Sequence, residues 1–262
     1  MRFLKAWRVR KPETDEETVY VSEKFGVRQL HIGSETVQSA MRIARPYDLE
    51  VAYTRCMMGF LLFREPPSSV LLVGLGGGSL AKFFHRQFPE TRVTAIEINP
   101  QVVTIARHCF QLPPNDARLQ VVVSDAAEYV VDASRSWDVV MVDGYGAEAQ
   151  AEEVATLKFY RDCRARLKPG GVLVVNLWGD DRAFHDCLRL IGEAFGGRAV
   201  CLPDGKAGNV IVFALPGGAG EPDWRALNER AQLLDARFDL GFAGFVARLA
   251  KMNPHNADRL LV

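Results

Sequence analysis

Three glycines, Gly74, Gly76 and Gly78, stand directly after a short apolar run at residues 70–73. Glycine lets a backbone turn tightly and approach a ligand closely, and the N-terminus of a following helix offers free N–H groups. Alone, this pattern also fits a turn used only for packing. About 20 residues on, the next apolar run ends in Glu97. A carboxylate there can accept two hydrogen bonds at once, as from the hydroxyls of a ribose. The third run ends in Ser124, Asp125 and Ala126, and the fourth in Asp143. If the runs are neighbouring parallel strands, these polar ends share one crevice.

The elements needed to position them are legible. Residues 70–73, 92–96, 119–123, 137–142 and 172–177 read as strands. Helical stretches at 80–88, 101–109, 126–131, 156–167 and 182–195 alternate with them. Such alternation, with nearly all-apolar strands, predicts an α/β fold around a parallel sheet buried on both faces. Lys168-Pro-Gly-Gly171 reads as a turn, and segments 198–202 and 209–214, joined through Pro-Asp-Gly, predict an antiparallel edge. Before the sheet, 18–21, 27–32 and 35–43 read as antiparallel hairpins, followed by a helix over 47–63 and the break Pro66-Pro67. After the Gly/Pro stretch at 216–222, segments 224–238 and 242–252 have amphipathic helical spacing. The expected division is a small N-terminal β region with a linking helix (1–65), a nucleotide-binding α/β domain (66–215) and a helical extension (216–262).

Composition narrows the function classes. The 262 residues carry 32 Lys plus Arg and 32 Asp plus Glu, a net charge of zero. That balance argues against nucleic-acid binding through a large basic surface and against a polybasic membrane-surface protein. No apolar stretch approaches a membrane span. The basic N-terminus, residues 1–11, runs into Pro12 and acids and does not read as a signal peptide. Five cysteines with no CxxC pair and no His cluster point to reduced thiols in a cytoplasmic protein, and no metal site is expected. The five histidines have no partner in register and read as structural or exposed.

Two ligand classes compete for the crevice. The glycine pattern is GxGxG, with Ser79 where a dinucleotide-binding loop has its third glycine. That disfavours the first class, an NAD-dependent oxidoreductase; the second is a transferase that takes an S-adenosyl nucleotide. The Leu-Lys-Pro-Gly-Gly turn and the terminal β-hairpin resemble class I S-adenosylmethionine-dependent methyltransferases. Within that superfamily the chain resembles the spermidine synthases, the polyamine aminopropyltransferases. The matching stretches are 70–79, Glu97-Ile-Asn-Pro, Ser124-Asp125, Trp137 to Asp143, and Lys158-Phe-Tyr-Arg-Asp ahead of Leu167-Lys-Pro-Gly-Gly. The likeness covers roughly residues 18–215, and the N-terminal β segments resemble the family's small N-terminal domain.

The resemblance implies a co-substrate, S-adenosylmethionine or its decarboxylated form. Gly74, Gly76 and Gly78 would lie along its methionine part, Glu97 at the ribose, and Asp125 with Ala126 at the adenine. Gln38 and Tyr53 fall where the family has substrate-side Gln and Tyr, with Gln38 assigned to the nucleotide and Tyr53 to the acceptor. Asp143 and Tyr145 are the catalytic candidates, and Glu148 a substrate contact. The implied partner is a small cationic amine, and the family implies a homodimer. An acidic loop suits that amine: residues 143–156 hold four acids and no basic residue, although a solvated, helix-leading face reads the same way.

Two family acids are missing. One would stand at Gly77, beside the amine of the decarboxylated nucleotide. An acid there repels the carboxylate of ordinary S-adenosylmethionine by roughly 1–4 kcal/mol at contact distance. Gly77 removes that repulsion and favours tolerance of the carboxylated form. The other, which helps deprotonate the attacking amine, would stand at Gly146. Alkylation of a small amine, by aminopropyl or methyl transfer, fits these features. Nucleotide binding without catalysis is the alternative that the two missing acids favour.

Overall fold

In the computed structural model, residues 18–144, 152–179, 183–205, 208–217 and 222–261 are described. Tyr145, Gly146 and Glu148 lie outside them.

A three-stranded antiparallel sheet comes first: β1 (Val19–Lys24), β2 (Val27–Ile32) and β3 (Val37–Arg42), in the order β1-β2-β3. Helix α1 (Ala52–Met57) and a 3₁₀ turn (Met58–Leu62) lead out of it. The helix expected over 47–63 is thus much shorter and tightens at its end. Met58 to Leu62 are all buried, and a Cβ on Gly59 would lie 2.9 Å from the Phe213 ring, so packing sets the path there.

The second sheet has seven strands: β4 (Ser69–Val73), β5 (Arg92–Glu97), β6 (Leu119–Val123), β7 (Trp137–Val142), β8 (Leu167–Trp178), β9 (Ala199–Pro203) and β10 (Asn209–Ala214). Their order is β6-β5-β4-β7-β8-β10-β9. Strands β4 to β8 pair in parallel, and β10 pairs antiparallel with both β8 and β9. The expected turn at Lys168–Gly171 lies inside the span of β8. The ladder slips there: Trp137 pairs with Leu167 but Val139 with Val172, so the Lys-Pro-Gly-Gly residues form an irregularity within the strand.

Alternate residues of each central strand enter different cores. Val70, Leu72, Val139 and Met141 join one, while Leu71, Val73, Val140 and Val142 join the other. The first is covered by α1, α2 (Ser79–Gln87), α7 (Trp224–Phe238) and α8 (Phe242–Leu249). The second is covered by α4 (Ala126–Asp132), α5 (Leu157–Ala165) and α6 (Phe184–Phe195). Helix α3 (Pro100–Cys109) buries Val102 against the small sheet, with Val19, Leu30 and Met41. Burial on both faces explains why the strands read as apolar runs rather than as alternating ones. Asp235 ties the last two helices together by accepting hydrogen bonds from the N–H groups of Gly241, Phe242 and Ala243. No helix of the described residues is long and apolar enough to cross a membrane.

The strand order reverses between β4 and β7. In open α/β sheets the crevice at such a point, beyond the carboxyl ends of the strands, is where ligands bind.

Candidate active site

A cavity of about 720 Å³ occupies that crevice. Its floor is the ends of β4, β5 and β7, and its near wall comes from β3 and α1. Most predicted site residues line it: Gly74, Gly76, Glu97, Asp125, Ala126, Asp143, Gln38 and Tyr53.

The glycines divide by role. Gly74 has φ +91°, and a Cβ there would collide with the Asp143 carbonyl. Only glycine lets the end of β4 run so close to the end of β7. Gly76, at φ +52°, also lines the cavity. Gly78, at φ +71°, instead faces the core. It is the N-cap of α2, and a Cβ on it would lie 2.8 Å from Leu112 Cδ1. At Gly77 an added Cβ would lie 2.8 Å from both Phe110 Cδ1 and Ser39 Oγ. The space a longer side chain would need is already filled.

Glu97 is buried at the end of β5 and is held by backbone. Its Oε2 accepts from Leu75 N at 3.0 Å, and its Oε1 from Asn99 N at 3.0 Å. The first bond ties it to the glycine loop. Each carboxylate oxygen has a second lone pair that can accept from a ligand hydroxyl. Asp125 is the N-cap of α4, where its Oδ1 accepts from Ala127 N at 2.7 Å and Glu128 N at 3.0 Å. The residue expected at the adenine is therefore a helix cap.

Asp143 is held by side chains. Tyr53 donates from its hydroxyl to Oδ2 at 2.9 Å, across 90 residues of sequence. Asn176, on β8, donates from Nδ2 to Oδ1 at 2.8 Å, and Asn209, at the start of β10, donates to Asn176 Oδ1 at 3.0 Å. Burial pushes the Asp143 carboxyl above the usual aspartate range, and the bonds from Asn176 and Tyr53 oppose the shift. Such a group binds a proton more readily than an exposed aspartate does.

Four carboxylates line the cavity: Glu97, Asp125, Asp143 and Glu153. Glu153 belongs to a 3₁₀ turn (Glu152–Val154) whose Val154 is buried, close to Gly144. The described lining residues include no Lys, Arg or His. Apolar groups complete the wall, among them Ile98 at 67% exposure and Trp178 at 40%.

Sequence reasoning passed over Asn176, Asn209 and Ile98. A signal for Asn176 was present, since it is the one polar residue in the run Val172–Leu177. Asn209 carried no such signal, because it opens its strand.

Comparison with known proteins shows the family and the fold. Residues 50–198 match the family described as spermine/spermidine synthase domain. A polyamine aminopropyltransferase of Chromobacterium violaceum is 40% identical over 244 residues, which is 93% of this chain and 94% of that protein. Among solved structures, a probable spermidine synthase from Corynebacterium glutamicum superposes with a TM-score of 0.70 at 20% identity, covering 88% of each chain, a likeness of fold. Human methyltransferase-like protein 13, solved in complex with SAH, gives a TM-score of 0.65 at 26% identity, covering 72% of this chain and 93% of that one. The fold is thus the one expected, methyltransferase-like with a small β-sheet before it. With a family match over more than half of its length and a relative 40% identical over nearly all of it, this chain belongs to the spermine/spermidine synthase family.

Proposed function

We propose that the protein transfers an aminopropyl group from decarboxylated S-adenosylmethionine to a small polyamine-type amine. The observation that carries this reading is the charge of the cavity: four carboxylates and, among its described lining residues, no cation. A sulfonium nucleotide without a carboxylate, and a cationic acceptor, both suit such a surface. The relative named a polyamine aminopropyltransferase supports the same choice.

In this reading Glu97 takes the ribose hydroxyls, and Asp125 with Ala126 the adenine edge. Gly74 and Gly76 form the ligand side of the loop beside the sulfonium side chain, with Gln38 across from them, and Gly78 shapes that loop from its core side. The acceptor amine meets Asp143 and Tyr53. Its nitrogen lone pair attacks the aminopropyl carbon bonded to sulfur. The C–N bond forms as the C–S bond breaks, and that bond's electron pair leaves the sulfur as a neutral thioether. The amine must shed a proton before it can attack. Asp143 is the acceptor for it, and its raised pKa suits that task. Tyr145 is a second candidate base and Glu148 a second contact for the amine. The protein's main work is to orient the two reactants and keep water out.

Methyl transfer from ordinary S-adenosylmethionine is the second reading, favoured by the missing acid at Gly77. The crowding of that position by Phe110 and Ser39 weakens it, because packing alone accounts for a glycine there. Incubation of the protein with each nucleotide and a panel of mono-, di- and triamines, read by mass spectrometry, separates the two. Aminopropylated product from the decarboxylated nucleotide is expected. Methylated product, or none, would overturn the proposal.

A further inference from the structure

Asn176, Trp178 and Asn209 share one face of the β8–β10 ladder. Asn209 pairs with Trp178, and Ile211 pairs with Asn176, so Asn209 lies diagonally across from Asn176. Both asparagines are buried, at 2% and 5% exposure, and both line the cavity. A carboxamide has a donating end and an accepting end. Turned one way, Asn176 donates to Asp143; turned the other, it points a carbonyl oxygen at the carboxylate. Nothing about the shape of Asn176 selects between the two, since its ends are nearly equal in size. Its two neighbours do: an ionised Asp143 can only accept, and Asn209 adds the same bias from the other side. Asn209 Nδ2 donates to Asn176 Oδ1 at 3.0 Å, which commits that oxygen and leaves Nδ2 aimed at Asp143, at 2.8 Å.

We propose that Asn209 is a positioning residue for the acceptor site: it fixes the Asn176 amide so that Asn176 supports the ionised carboxylate of Asp143. The inference deepens the reading of Asp143 as the group that receives the amine, and rests on that reading for its functional meaning. The effect is worth having because the surroundings oppose ionisation. Burial favours the neutral acid, and among the described lining residues the other charged or titratable groups are Tyr53 from α1, Glu97 from β5, Asp125 at the head of α4 and Glu153 from the 3₁₀ turn. Three of these are acids, so the hydrogen bonds from Tyr53 and Asn176 are what oppose burial. Asn209 thus acts on Asp143 through Asn176, without touching the carboxylate itself.

The titration of the Asp143 carboxyl, followed by carbon-13 NMR with aspartate-labelled protein and assigned with D143N, tests this without any turnover. It is measured in the wild type, N209L, N176L and the N176L/N209L double variant. The midpoint is expected to rise by about one unit in N176L, the worth of one hydrogen bond to a carboxylate, and by a smaller amount in N209L, where Asn176 loses only its orienting partner. In the double variant it is expected to match N176L alone, since one path cannot be cut twice. If N209L does not fold, N209A is read instead: it removes the donor without adding a charge, so a rise is expected there too. A midpoint unchanged in the Asn209 variant, or shifts that add in the double variant, would overturn the proposal. Absence of aminopropyl transfer by the wild type would count against the proposed function and leave this titration readable.

Discussion

At one end of the cavity Glu97 and Asp125 are held by backbone N–H groups; at the other, Asp143 is held by the side chains of Tyr53 and Asn176. The bonds to Glu97 come from Leu75 and Asn99, and those to Asp125 from Ala127 and Glu128. Three of these four donors lie within three residues of the acid they serve, and the fourth belongs to the glycine loop. The acceptor end draws instead on α1, β7, β8 and β10, through pairs 90 and 33 residues apart. Backbone amides are present whatever the residue, so the first end tolerates change in its neighbours. The second depends on three particular side chains, and each can be lost by a single substitution. One end is built to hold a common ligand part. The other can be retuned, and in the proposed function it is the end that holds the acceptor amine.

That contrast is open to direct attack. Asp143→Asn should cut kcat by about 10³-fold, the scale of a lost general base, with little change in nucleotide affinity. Steady-state kinetics with calorimetry on the same variant would check it, and a large loss of nucleotide affinity would merge the two ends. Glu97→Ala should do the reverse, weakening nucleotide binding about 100-fold through lost charge-assisted hydrogen bonds and a loosened glycine loop. Saturating nucleotide should restore much of its kcat. Tyr53→Phe should be milder, about tenfold in kcat/KM at neutral pH, the worth of one hydrogen bond. Its sign with pH follows from the bond it removes. Tyr53 lowers the Asp143 pKa, so its loss raises a value that burial has already raised. Activity needs the ionised carboxylate and falls as pH drops through that pKa. The acid limb of the kcat/KM profile should therefore move to higher pH. A limb that stays in place would mean that Tyr53 does not act on Asp143.

The same contrast explains what could be read in the sequence. The parallel sheet was legible because burial on both faces leaves near-continuous apolar runs, and β6, β7 and β10 match their expected spans residue for residue. Glu97 and Asp125 were legible because each ends such a run. The helix expected over 47–63 was not, because its apolar spacing is equally met by a short helix and a 3₁₀ turn wedged against Phe213. Gly78 matched the loop pattern, yet packs against Leu112, and spacing alone cannot tell a ligand-facing glycine from a core-facing one. Gly77 carried the reverse lesson. Its lack of an acid reads as a change of ligand, whereas Phe110 and Ser39 supply a packing reason for it. The bonds of Tyr53, Asn176 and Asn209 to Asp143 and to each other arise only from tertiary structure. Tyr53 was reached through family resemblance, and the two asparagines not at all.

In the proposed function the charge of the cavity favours a nucleotide without a carboxylate. Titration calorimetry of the wild-type protein with S-adenosylmethionine and with its decarboxylated form, at the same pH and salt, tests this most directly. The decarboxylated nucleotide should bind at least about tenfold more tightly, as expected for removing a carboxylate from among acids in a partly desolvated site. Equal affinity, or preference for S-adenosylmethionine, would contradict it.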